Sequence, residues 1–259
     1  MPQFAANLTM LFNELPFLDR FQAAAQAGFK GVEFLFPYAY DAHEIKARLE
    51  ANGLQLVLHN LPPGDWDSGE RGIACHPDRV DEFRAGVVRG IEYAQVLGVK
   101  QLNCLAGKSP TDVPDAVLRQ TLVNNLRYAA AEFKKAGMRV LVEPINTFDI
   151  PGFYIHRTEQ ALGVLDEVGA DNVFVQYDIY HAQRMEGELA ATMQKHLGRI
   201  GHMQLADNPG RHEPGTGEIN YAFLFAHLDR IGYQGWIGCE YKPTTTTGAG
   251  LGWREQLTL

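Results

Sequence analysis

Residues 136–143 read AGMRVLVE, and this stretch carries the fold in miniature. Glycine tolerates the left-handed backbone that stops a helix, so Gly137 marks a helix end. The run from Arg139 to Val142 is short and rich in β-branched and aliphatic residues, which suits a buried strand, and Glu143 closes it with a carboxylate. The same punctuation recurs in both directions, as AGFKGVEF at Gly28, NGLQLVL at Gly53, LGVKQLNC at Gly98, VGADNVFVQ at Gly169, LGRIGHMQL at Gly198 and IGYQGWIGCE at Gly232. With the opening FAANLTM, the pattern implies eight strands separated by seven helical segments. Strands that alternate with helices form a parallel sheet.

The last four runs, RVLVE, VFVQYD, IGHMQ and WIGCE, each end on a carboxylate or an amide: Glu143, Asp178, Gln204 and Glu240. Alternation along a strand puts Glu143 on the face of Leu141, Asp178 with Gln176, Gln204 with His202, and Glu240 with Gly238. In a parallel barrel those oxygens converge at the C-terminal mouth, where such folds do their chemistry. A single acidic strand end is ordinarily solvated or ion-paired; four polar ends on consecutive strands, three carboxylates and an amide, point to a site. A ring of hard oxygen ligands suits Mg²⁺, with Mn²⁺ as the alternative. An open doubly wound sheet would use the same strand–helix alternation. Eight strands with functional groups at several ends favour a single closed (β/α)₈ TIM barrel over residues 1–259.

Bulk properties agree. The chain of 259 residues is 46% hydrophobic and 21% charged, long enough for a large buried core. No apolar run is long enough to span a bilayer, and the N-terminus lacks a signal-peptide pattern, so the expected location is the cytoplasm. A net charge of −8 disfavours a nucleic-acid partner. Cys75, Cys104 and Cys239 have neither metal nor disulfide spacing and read as buried small hydrophobes. Helical period places Val80, Phe83, Val87, Ile91 and Ala94 on one apolar face, and Leu118, Leu122, Leu126, Ala129 and Phe133 on another. The loop at residues 61–76, LPPGDWDSGERGIACH, is long enough to be a lid or binding loop.

Several stretches carry a family resemblance: NLTMLF, GVEFLFPY, LHNLPPGDWDSGERGIAC, LNCLAGK, VEPINTFDIPGF, VQYDIYHAQRMEGEL, ADNPGRHEPGTGEINY and GWIGCEYKP. Together they resemble the xylose-isomerase-like barrel superfamily and, within it, the bacterial hydroxypyruvate isomerases. The resemblance implies a divalent metal held by Glu143, Asp178, Gln204 and Glu240, with Glu143 and Glu240 also moving protons. It implies conversion of hydroxypyruvate to tartronate semialdehyde through an enediolate, with a direct hydride shift as the alternative chemistry. A metal-bound glutamate is normally a weak base, so the double role of the two glutamates rests on the resemblance.

A histidine three residues after Asp178, His181, is placed to bond a substrate oxygen or carry its proton, as the D-x-x-H histidine of related epimerases does. Arg211, in ADNPGRHEPGTGE, is a candidate partner for the carboxylate of a keto acid, and Arg71, Lys108 and Lys242 compete for that role. His59, Asn60 and Asn7 are pocket candidates, Trp66 a candidate lid, and His202 a candidate support for Gln204. The partner implied is a small-molecule keto acid, with no nucleic acid and no membrane; assembly as a homo-oligomer stays open. Competing readings are a 2-oxo-tetronate isomerase on the same site, a sugar epimerase, a metal-dependent abasic-site nuclease and a non-enzymatic binding barrel. Gln204, where epimerases usually carry histidine, disfavours the second.

Overall fold

Six of the seven glycines expected to stop helices have left-handed backbone: Gly28, Gly53, Gly98, Gly137, Gly169 and Gly232, with φ between 60° and 82°. Gly198 is the exception. It sits inside a 3₁₀ turn, Leu197–Arg199, which closes through the Ile200 N–H on the Leu197 carbonyl and runs directly into the next strand. That turn needs no left-handed residue.

The computed structural model describes residues 2–258. Among them, β1 (Gln3–Asn7), β2 (Gly31–Glu33), β3 (Gln55–Asn60), β4 (Gln101–Cys104), β5 (Arg139–Val142), β6 (Val173–Asp178), β7 (Ile200–Leu205) and β8 (Trp236–Cys239) pair in parallel and in chain order. β8 pairs back onto β1, Gly238 opposite Ala5, and closes the barrel. The helices α1 (Arg20–Gln26), α2 (Ala42–Ala51), α3 (Val80–Leu97), α4 (Asp115–Lys135) and α5 (Thr158–Val168) connect the first six strands. Two helices, α6 (Ile179–Met185) and α7 (Leu189–His196), lie between β6 and β7, and α8 (Tyr221–Ile231) precedes β8. The chain then adds two short helices, α9 (Thr247–Gly250) and α10 (Trp253–Gln256). No helix among the described residues is long and apolar enough to cross a membrane.

The outer core follows the helical period. All five predicted residues of α4 are buried, whereas on α3 Phe83, Val87 and Ala94 are buried and Val80 and Ile91 form the half-buried rim of the stripe. Truncating a buried leucine such as Leu122 or Leu126 to alanine removes ~2–5 kcal/mol of stability. Cys75, Cys104 and Cys239 are free and buried. Inside the barrel, Ala5, Val57 and Leu141 pack with Phe174 and Trp236 as an apolar layer. One pleat further along β1, β5 and β6 the inward residues turn polar, at Asn7, Glu143 and Gln176, and the site begins there.

Candidate active site

Two carboxylates arrive first. Glu143 follows β5, is 4% exposed, and accepts a hydrogen bond at Oε2 from Asn103 Nδ2 at 2.7 Å. Asp178 ends β6 and caps α6: its Oδ1 accepts from the backbone N–H of Tyr180 at 2.8 Å and of His181 at 3.3 Å. The cap fixes the carboxylate and leaves Oδ2 buried without a hydrogen-bond partner. It also places His181 on the adjacent turn, with Nε2 3.6 Å from Asp178 Oδ2 and 3.8 Å from Glu143 Oε1.

The histidine's tautomer is set by its other neighbour. Asn146 Oδ1 accepts from the Phe148 and Asp149 N–H groups, so its Nδ2 faces His181 Nδ1 at 2.6 Å and donates to it. His181 Nδ1 is therefore an acceptor and Nε2 carries the proton toward the carboxylates. Burial, together with the Arg211 and Arg184 charges, holds the imidazole pKa well below its usual value, so the ring is neutral. A neutral ring with its proton on Nε2 is a hydrogen-bond donor into the site.

Gln204 and Glu240 are arranged differently from the ligand ring the sequence leads one to expect. Gln204 Nε2 donates to Glu240 Oε2 at 2.5 Å and to Glu33 Oε1 at 2.7 Å, while its Oε1 accepts from Gln176 at 2.6 Å. The two carboxylates draw the amide nitrogen, and its oxygen is taken up by Gln176. Glu240 Oε1 in turn accepts from Arg211 Nη2 at 2.7 Å, and the same nitrogen lies 3.8 Å from Asp178 Oδ2. Arg211 thus reaches the site, but it places its guanidinium against carboxylates of the chain itself. Its backbone is left-handed, φ 60°, and is held by its N–H on the Asp207 carbonyl and by Lys242 N–H on its own carbonyl.

Glu33, at the end of β2, ties these groups together and was not singled out in the sequence. It is fully buried and also accepts from Asn7 Nδ2 at 2.9 Å and pairs with His202 Nε2 at 2.6 Å. His202 therefore supports the site one layer down, through Glu33. Asn7 extends the network to Glu240 at 3.3 Å. The carboxylate fits because β8 has no side chain opposite it; a Cβ on Gly238 would overlap both Glu33 oxygens.

Crowding of acids in a dry interior shifts their proton affinity. Burial, reinforced by the Glu240 and Asp178 charges, raises the Glu143 pKa well above the usual glutamate range. Burial pushes Glu240 up to about 8 against the opposing pull of Arg211, and Asp178 is raised by burial as well. Glu143, Asp178 and His181 offer ligand atoms all within 4.8 Å of one another. An unpartnered buried oxygen on Asp178 and several acids near it fit a divalent cation.

These groups open onto a cavity of about 420 Å³ lined by Glu143, His181, Arg211 and Glu240 together with Asn60, Trp66, Arg71 and Lys242. Lys108 lines a neighbouring cleft instead. His59 is fully buried, its ring bonded to the Asn60 carbonyl at 3.0 Å, and burial pushes its pKa down to about 4. The 61–76 loop is a braced wall of the cavity: Gly72 N–H binds the Pro63 carbonyl, and Glu70 accepts from Asp65 N–H and Arg79.

A closed parallel barrel with buried acids gathered at the C-terminal strand ends defines a class of proteins, and the chain belongs to it: residues 21–257 match the xylose isomerase-like TIM barrel family. The chain is 57% identical over 255 residues to the hydroxypyruvate isomerase of Escherichia coli (strain K12), covering 98% of this chain and 99% of that protein. It is 50% identical to the 2-oxo-tetronate isomerase of Cupriavidus necator, over 98% and 97% of the two chains. A crystal structure from Brucella melitensis, described as an AP endonuclease of family 2, superposes with a TM-score of 0.97 at 46% identity, covering 99% of each chain.

Proposed function

We propose that this protein is a hydroxypyruvate isomerase, interconverting hydroxypyruvate and tartronate semialdehyde. The observation that carries the chemistry is a pair of buried glutamates, Glu143 and Glu240, both with raised proton affinity, on one cavity of about 420 Å³. The 57% identity to the Escherichia coli hydroxypyruvate isomerase over almost the whole of both chains supports the substrate. Isomerisation requires loss of a proton from the hydroxymethyl carbon, delivery of a proton to the carbonyl carbon, and passage of the hydroxyl proton from the hydroxymethyl oxygen to the former ketone oxygen. One glutamate serves as the base and the other as the acid. Burial supports this double duty, because it supplies the basicity that a neighbouring cation removes. His181, neutral and protonated on Nε2, donates to the substrate oxygen on which negative charge develops.

Glu143, Asp178 and Glu240 are the carboxylates that would hold a divalent cation, Mg²⁺ first and Mn²⁺ second, with Gln204 as the neutral fourth member. Gln204 would have to turn its amide over to present oxygen, and Arg211 competes with the cation for Glu240 and Asp178. When bound, such a cation polarises the ketone and stabilises enediolate charge. A net charge of −8 disfavours a DNA substrate. A second reading, a 2-oxo-tetronate isomerase, is favoured by the 50% identity to the Cupriavidus necator protein. The two are separated by offering hydroxypyruvate and 2-oxo-tetronate to the purified protein after chelation and after return of Mg²⁺ or Mn²⁺. Metal-dependent turnover with a higher kcat/KM for hydroxypyruvate is expected. A higher value for the four-carbon acid would install the second reading, and no turnover of either would overturn both.

A further inference from the structure

Three cationic side chains line the cavity, and they differ in what already neutralises them. Arg211 is paired with Glu240 and lies near Asp178. Lys242 is exposed and is fixed only through its backbone, the N–H on the Arg211 carbonyl and the carbonyl on His212 Nδ1. Arg71 is held rigidly yet has no carboxylate partner among the described residues. Its guanidinium lies 3.9 Å from the centroid of the Trp66 ring, and Nη1 donates to the backbone carbonyls of Trp66 at 3.0 Å and Glu70 at 2.6 Å.

We propose that Arg71 is the anchor for the carboxylate of the substrate, and that the 61–76 loop exists to present it. The proposal rests on the keto-acid reading above. Nη1 is spent on the loop, which leaves the Nε and Nη2 edge of the fork free, the geometry that grips a carboxylate with two parallel hydrogen bonds. Holding the fork in advance lowers the ordering cost of binding. The brace is specific. Trp66 is itself packed against Phe36, with ring centroids 4.9 Å apart. The residue after Arg71, Gly72, has φ 102°, and a Cβ there would run into the Leu105 backbone beyond β4. The loop base is therefore locked to the barrel beside Arg71, and the charge cannot swing away as that of an exposed lysine does. Arg71 touches the non-reacting end of the substrate, so it sets specificity for acids over uncharged ketoses.

The test compares wild type, Arg71→Gln, Arg71→Lys and Lys242→Gln, with circular dichroism to establish folding. Turnover of hydroxypyruvate is read as KM and kcat, and binding of pyruvate, an unreactive keto acid, is read by calorimetry. Arg71→Gln is expected to raise KM and the pyruvate Kd together by about 10- to 100-fold, the loss of a charge-assisted bidentate contact. Arg71→Lys should recover part of that loss, and Lys242→Gln should raise both constants less than Arg71→Gln does. A pyruvate Kd unchanged in folded Arg71→Gln, or a larger loss in Lys242→Gln, overturns the anchor. If wild type binds pyruvate through Arg71 yet does not isomerise hydroxypyruvate, the anchor stands and the isomerase reading falls.

Discussion

Removing the charge of Arg211 should destabilise the metal-free protein in a way that depends on pH. Arg211 Nη2 sits 2.7 Å from Glu240 Oε1 and 3.8 Å from Asp178 Oδ2, and both acids are almost wholly buried. At an effective dielectric constant of ~20 the closer contact alone amounts to about 6 kcal/mol of gross attraction. Desolvation of the partners offsets part of this, and breaking one side of a buried pair costs ~3–5 kcal/mol. The cost applies only while the carboxylates are ionised. Glu240 has a folded pKa of about 8 against an ordinary 4.5, and Glu143 is shifted in the same direction. The folded protein thus binds more protons than the unfolded chain between those values, and stability falls as pH rises through the window. Arg211 opposes that fall. In EDTA, Arg211→Met should therefore lower the Tm by roughly 6–20 °C at pH 8.5 and by much less at pH 5. Addition of Mg²⁺ should raise the Tm of the variant more than that of wild type, since cation and guanidinium neutralise the same acids. Thermal unfolding followed by circular dichroism decides it. A variant as stable as wild type at pH 8.5, or a loss that grows toward pH 5, would mean that Arg211 does not neutralise the buried acids.

Three further substitutions probe separate links. Asn146→Leu removes the donor to His181 Nδ1, and should mix the two ring tautomers while lowering kcat about 100-fold; ¹⁵N shifts of the His181 ring that stay unchanged would contradict this. Gly238→Ala forces Glu33 off Asn7, Gln204 and His202 and should cost ~1–3 kcal/mol for each bond left unmade, read by urea denaturation; a neutral outcome would mean that the network is dispensable. Glu240→Gln, which keeps the shape but not the titration, should lower kcat by several orders of magnitude in a protein that still folds, and a fully active variant would move the proton-transfer role elsewhere.

The barrel was legible because its signals are local. Gly137 and five of its counterparts stop helices within four positions of the strand that follows, and RVLVE or VFVQYD states both the strand and its functional end. Glu143, Asp178, Gln204 and Glu240 could be found by counting in twos from those ends. Glu33 could not, because GVE is a three-residue strand whose lone acid has no local mark distinguishing it from a solvated one. Its partners lie between 26 and 171 positions away in sequence, and only closure of the barrel brings them together. Gly238 was the available clue, since a missing side chain on an inward position leaves room for a neighbour. The orientation of the Gln204 amide was likewise beyond reach, being decided by Glu33 on one side and Gln176 on the other. Asn146 lies in a loop, and its importance depends on the turn that fixes its oxygen.

Proton transfer by the two buried glutamates is the step on which the isomerase assignment depends. Proton NMR of the Mg²⁺-loaded protein turning over hydroxypyruvate in D₂O measures it directly. Deuterium is expected at the new C–H position of tartronate semialdehyde, with no turnover in the presence of chelator. Turnover that leaves that position fully protonated from the first cycles would contradict it and favour a hydride shift.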